Sequence, residues 1–130
     1  MHNNYGFGKT VAGSFDDAVA KVTQELGKEG FGVLTEIDVA ATLKKKLNRD
    51  MPPYKILGAC NPPFAAQALD AEPSIGLLMP CNVIVQDLPS GGVEVAAINP
   101  EVGMQTIGNP ALSQLAAQVR EKLARVIERL

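Results

Sequence analysis

Apolar positions recur along the chain with two periods, and the switches between them mark the elements. "YGFGKTVAG" (5–13) reads as a first strand, with Phe7 and Val11 its larger apolar residues. Ser14 then opens a helix. Its hydroxyl is placed to accept from the Asp17 backbone N–H, and Asp16 and Asp17 suit the positive helix start. Phe15, Ala18, Val19, Val22 and Leu26 fall at helical spacing and make one stripe, which Gly27 and Gly30 bring to a stop. "FGVLTEI" (31–37) is a second strand. Asp38 caps a short helix to about Asn48, with Val39, Ala40, Leu43 and Leu47 on its apolar side.

Met51-Pro52-Pro53 breaks that pattern, and "YKILGAC" (54–60) is a third strand. Asn61 suits an N-cap, and Pro62 at the first helical position needs no N–H partner, so "PPFAAQALDA" predicts a short Ala-rich helix. Pro73 and Pro80 bracket "SIGLLM" as a helical turn or loop. "CNVIVQDL" (81–88) and "GVEVAAIN" (92–99) are strands joined through Pro89-Ser90-Gly91-Gly92, a hairpin signal. "NPEVGMQTIGNP" (99–110) reads as a loop with one helical turn. A last helix runs from about Ala111, with Leu112, Leu115, Ala116, Val119, Leu123, Ile127 and Leu130 as its stripe and Arg120, Glu121, Lys122, Arg125, Glu128 and Arg129 on its other side.

The order β-α-β-(α)-β-(α)-β-β-α, with two long one-sided helices, predicts an α+β fold: an antiparallel sheet with both main helices on one face. Val83 and Val85 on one side of the fourth strand, and Ile84 and Leu88 on the other, imply that both sheet faces are partly covered. The two middle helices or a second subunit are the candidates for the far face.

Composition bounds the rest. A chain of 130 residues suits one domain, 1–130, and 46% hydrophobic against 20% charged residues favours a globule over disorder. With no Trp and 5% aromatics, the core must be built from Val, Ile, Leu and Ala. A net charge of -2 is too small to steer nucleic acid. "MHNNYGFGK" lacks the basic start and apolar run of a signal peptide, and no apolar stretch reaches the roughly 18 residues of a membrane helix. The expected compartment is the cytoplasm, where the two cysteines stay reduced.

Both cysteines precede an asparagine: Cys60-Asn61 ends the third strand and Cys81-Asn82 begins the fourth. If those strands are antiparallel neighbours, the pairs meet at one sheet end. Tyr54, Ile56 and Cys60 alternate together, as do Cys81, Val83 and Val85, which places the two thiols on a common face. Cys60 also precedes a helix start, where the backbone field can lower a thiol pKa. The pair reads either as a redox or sulfur-handling couple or as two small buried hydrophobes. There is no Cys-x-x-Cys. Two cysteines and His2 do not make a zinc site, which needs about four ligands, so no metal or cofactor is expected. Asn61 and Asn82 have structural roles as caps, or else point into a cleft. Lys44, Lys45, Lys46 and Arg49 read as a solvated helix face or an anion-attracting patch. "YGFG" (5–8) lacks the order of a dinucleotide loop and suits a crowded, bent strand. Asp16, Asp17, Glu36 and Asp38 show no acid–base spacing, and no serine sits in a nucleophile elbow.

Three runs, "GSFDDAVAKVTQELGKEGFGVLTEIDVAATLKKKL", "YKILGACNPPFAAQAL" and "IGLLMPCNVIVQD", with "AAINPEVGM" after the hairpin, resemble the bacterial and archaeal family known as domain of unknown function 302 (DUF302). Met79 stands where that family commonly has Leu, a swap that keeps volume. The resemblance implies a TATA-binding-protein-like α+β fold, a curved antiparallel sheet with two main helices, and a homodimer. It implies no activity. The family's signature positions fall here at Gly30, Phe31, Tyr54, Cys60, Asn61, Pro62, Pro80, Cys81 and Asn82. The fold name does not carry DNA binding.

The expected function is therefore a small homodimeric domain, not identifiable as an enzyme, that binds a small molecule. The candidate site is Tyr54, Cys60, Asn61, Cys81 and Asn82. The alternatives are a thiol enzyme or sulfur carrier with Cys60 as nucleophile and Cys81 as resolving partner, and an interaction module without a ligand.

Overall fold

The computed structural model describes residues 3–130. In chain order the elements are β1 (Gly6–Val11), α1 (Phe15–Lys28), β2 (Gly32–Asp38), α2 (Val39–Leu47), β3 (Tyr54–Cys60), α3 (Pro62–Ala71), a 3-10 turn (Pro73–Leu78), β4 (Cys81–Asp87), β5 (Val93–Ile98), α4 (Pro100–Gln105) and α5 (Pro110–Glu128). The strands form one antiparallel sheet in the order β1-β5-β4-β3-β2. The long loop expected after β5 is shorter than its sequence suggests, because Asn99 caps α4 through its side chain.

Local chemistry starts and stops the main helices. The Asp17 N–H donates to Ser14 Oγ at 3.0 Å, and the Ala41 N–H donates to Asp38 Oδ1 at 2.9 Å. Gly27 lies inside α1 rather than ending it. The stop falls to Gly30, whose φ of +86° a residue with a side chain rarely adopts.

One face of the sheet carries the core. Leu57, Val83, Ala97 and Phe7 lie opposite one another across four strands. They pack in one cluster with Val22 and Leu26 of α1 and Leu123, Val126 and Ile127 of α5. Val126, three residues past Leu123 and seven past Val119, belongs to this stripe as well. Glu29, just past α1, fastens the two helices: Arg125 Nη2 lies 2.9 Å from Oε1, and Arg129 Nη1 lies 2.7 Å from Oε2. The Arg125 guanidinium holds the Glu29 carboxyl below its ordinary value; burial opposes this and Arg129 adds to it. This contribution to stability is complete above the ordinary carboxylate range and is lost as pH falls through the depressed value.

The other face is apolar too, but the middle helices do not cover it. Ala96, Ile84, Ile56 and Ile37 form a row across β5, β4, β3 and β2. Ile84 and Ile56 are half-buried and Ile37 is exposed. α3 packs instead against α5, on the core side. α2 lies beside β3 and buries none of its residues, and its expected apolar side ends in a Leu47 that is largely exposed. Its basic run is solvated, with Lys44 paired to Asp50 at 2.9 Å.

Candidate functional site

β3 and β4 pair directly, so residues 61–80 leave the sheet and return beside their departure point, with Cys81 opposite Ala59. The excursion folds as α3 and the 3-10 turn, and α3 lies on α5. Between this roof and the sheet end lies a recess of about 70 Å³. Ala59, Cys60 and Cys81 line it from the sheet. Phe64, Ala65 and Ala68 line it from α3, and Leu115, Ala116 and Val119 from α5. The small alanines facing one another keep the space open. Met79, Pro80 and Met104 complete the wall, and no charged side chain contributes to it.

Three of the five residues singled out in the sequence meet here: Cys60, Asn61 and Cys81. Asn82 does not. It follows Cys81 in the strand, so its side chain points to the opposite sheet face, where it borders a shallow hollow with Tyr5 and Ile84. Tyr54 is at the far end of β3, roughly 20 Å away along a strand rising ~3.3 Å per residue. Burial, then the charge of Glu94 and the neighbouring Tyr5, raises its phenol pKa.

The two thiols meet for a reason other than shared alternation. Cys81 lies opposite Ala59, and Cys60 lies opposite Gly32 of β2, so within the ladder Cys60 and Cys81 have opposite parity. They line one recess because β3 ends at Cys60 and the chain turns into α3 there, which releases Cys60 from the strand pattern. Both are free and half-buried.

Burial, reinforced by neighbouring Cys60, pushes the Cys81 thiol up to about 11. In the folded chain, the rate of Cys81 alkylation by iodoacetamide should therefore rise only towards pH 11, and in denaturant it should rise near the ordinary thiol value. Superimposable pH profiles in the two states would overturn this. Between pH 9.0 and about 11 the folded chain keeps a proton that the unfolded chain has lost. Stability contributed by the protonated thiol therefore declines as pH rises through that window.

Asn61 occupies the N-cap position of α3 but makes no side-chain capping bond. Its Nδ2 donates instead to the Glu29 carbonyl at 3.2 Å, tying the rim of the recess to the end of α1. This contact explains a second demand on Gly30, where a Cβ would come within 3.2 Å of the same Nδ2. The sequence held no signal for it, because the partners are 32 residues apart. Met104 was equally hidden, in a segment that reads as a loop. His2 lies outside the described residues. Among the described residues no three of His, Cys, Asp and Glu gather as metal ligands, and no helix is long and apolar enough to cross a membrane.

The fold and recess define a class: an α+β domain whose five-stranded antiparallel sheet carries its main helices on one face and an apolar, thiol-lined hollow at one end. The family model for the domain of unknown function DUF302 matches residues 7–130, and the chain belongs to that family. It is similar to the crystal structure of an uncharacterized conserved DUF302 protein from Bacillus stearothermophilus, at 27% identity and a TM-score of 0.91 over 98% of each chain. None of the curated proteins matches. The arrangement is compatible with the TATA-binding-protein-like description.

Proposed function

We propose that residues 1–130 form one cytoplasmic domain that holds a very small apolar or soft ligand in the recess and catalyses no reaction on it. The observation that carries this reading is the recess itself, which is apolar, assembled from the sheet end, α3, α4 and α5, and lined by both cysteines. Its size limits the occupant. Sites for drug-sized molecules measure roughly 300–1,000 Å³, against about 70 Å³ here. Xenon is a suitable probe, since it enters apolar cavities in proteins. Xenon should shift the methyl resonances of Ala65, Ala116 and Val119, and Ala68→Phe should abolish the shifts by filling the space. Absence of shifts, or shifts that persist in the filled variant, would overturn the reading.

The partner in this reading is a second copy of the chain, seated on the open sheet face that carries Ile37, Ile56 and Ile84. Sedimentation as a monomer across the micromolar range would remove it. The two thiols sharing a recess also favour a second reading, thiol redox or sulfur handling with Cys60 as nucleophile and Cys81 as resolving partner. A Cys81 thiol that stays protonated at neutral pH counts against this second reading.

A further inference from the structure

The recess concentrates sulfur. Both cysteines of the chain line it, and so do Met79 and Met104, two of its four methionines. These four residues come from the end of β3, the chain returning to the sheet, the start of β4, and α4, so no single motif brings them together. Hard donors are missing from the wall: it contains no carboxylate, imidazole or hydroxyl side chain, and Asn61, its one polar residue, donates its amide to Glu29.

We propose that the recess binds a soft monovalent metal ion, Cu(I), with Cys60 and Cys81 as thiolate ligands and Met79 and Met104 as thioether ligands. The proposal rests on the recess being a ligand site and names the ligand class. Thiolates and thioethers select Cu(I), whereas carboxylates and carbonyls suit Mg, Ca and Mn. Two thiolates overcompensate the single charge of Cu(I). Each thiol loses its proton to solvent as its sulfur binds the metal, and the resulting complex carries one negative charge.

That charge has support nearby. The N-terminal end of the ten-residue α3 follows Asn61 directly and favours an anion. The Lys122 ammonium lies 5.9 Å from the centre of the Phe64 ring, which lines the recess. A free volume of about 70 Å³ suits an ion and its sulfur shell better than an organic ligand.

The test is anaerobic titration of the reduced protein with Cu(I) against bicinchoninate as a coloured competitor. The protein should withdraw one equivalent from the chelator, and X-ray absorption of the complex should show sulfur ligands only. Cys60→Ser and Cys81→Ser should each weaken binding by about 100-fold, and Met104→Leu by about tenfold, on the scale of groups that support metal sites. Melting curves of the metal-free variants establish that each still folds. Cys60→Ala and Cys81→Ala serve if a buried hydroxyl unfolds the serine forms. Xenon uptake without Cu(I) binding would overturn the metal and leave the recess as a ligand site; loss of both would overturn the two readings together. Copper held equally well after either cysteine is replaced would place the ion elsewhere and sink the proposal.

Discussion

Leu57→Ala is expected to lower the free energy of unfolding by about 2–5 kcal/mol. Leu57 is fully buried in the middle of β3, which is hydrogen-bonded to β2 on one side and β4 on the other. It belongs to the cluster that includes Val22 and Leu26 of α1 and Leu123 of α5. The backbone around it is pinned by two ladders, so the wall can close on the missing methyl groups only if the helices move. Part of the cost is lost transfer energy and part is the residual void. Urea denaturation reads the effect as a lower midpoint with an unchanged slope. A loss below about 1 kcal/mol would mean that the site collapses freely and that the helices are loosely seated.

The second large effect is expected at Gly8. A Cβ there would meet the Val95 carbonyl oxygen at 2.5 Å, Ala96 Cβ at 2.7 Å and Ala96 Cα at 2.8 Å. Two of these are backbone atoms of β5, an interior strand held between β1 and β4, so β5 cannot yield. β1, the edge strand, must move away. Gly8→Ala should therefore cost about 1–3 kcal/mol or more, with amide protection lost first along Gly6–Val11. Gly32→Ala is the control. It lies on the opposite edge strand, where a new Cβ meets nothing within 4 Å, and it should be close to neutral. Equal losses in the two variants would show that propensity, not crowding, decides at Gly8.

Much of the architecture can be read from pattern because its causes are local. Ser14 and Asp38 bond to N–H groups three residues on, so their helix starts are visible in the chain. Tyr54–Cys60 lies between a double proline and Asn61-Pro62, which leaves little freedom for its ends. The candidate site is less legible. Direct pairing of β3 with β4 brings Cys60 and Cys81 to one sheet end, and that much follows from the hairpin-like return. The face each thiol takes does not: alternation groups Cys60 with Ile56 and Cys81 with Val83 as one face, but the ladder sets Ile56 opposite Ile84, away from Val83, so strand parity alone does not bring the thiols together. Asn82 fails for the converse reason: it stays inside the ladder, where alternation holds and turns it away. Asn61 carries a cap's composition but a tertiary partner, and only the folded arrangement of α1 and α3 reveals Glu29 beside it.

The roof over the recess is a single continuous stretch that contributes no strand to the sheet, and α3 within it has no fully buried residue. The hydrogen bonds of α3 can therefore break and reform while Ile75 of the 3-10 turn stays packed and all five strands remain paired, in a sub-global fluctuation below the cost of unfolding the molecule. If the recess holds a ligand as proposed, the brief lifting of one helix is the path by which it enters and leaves.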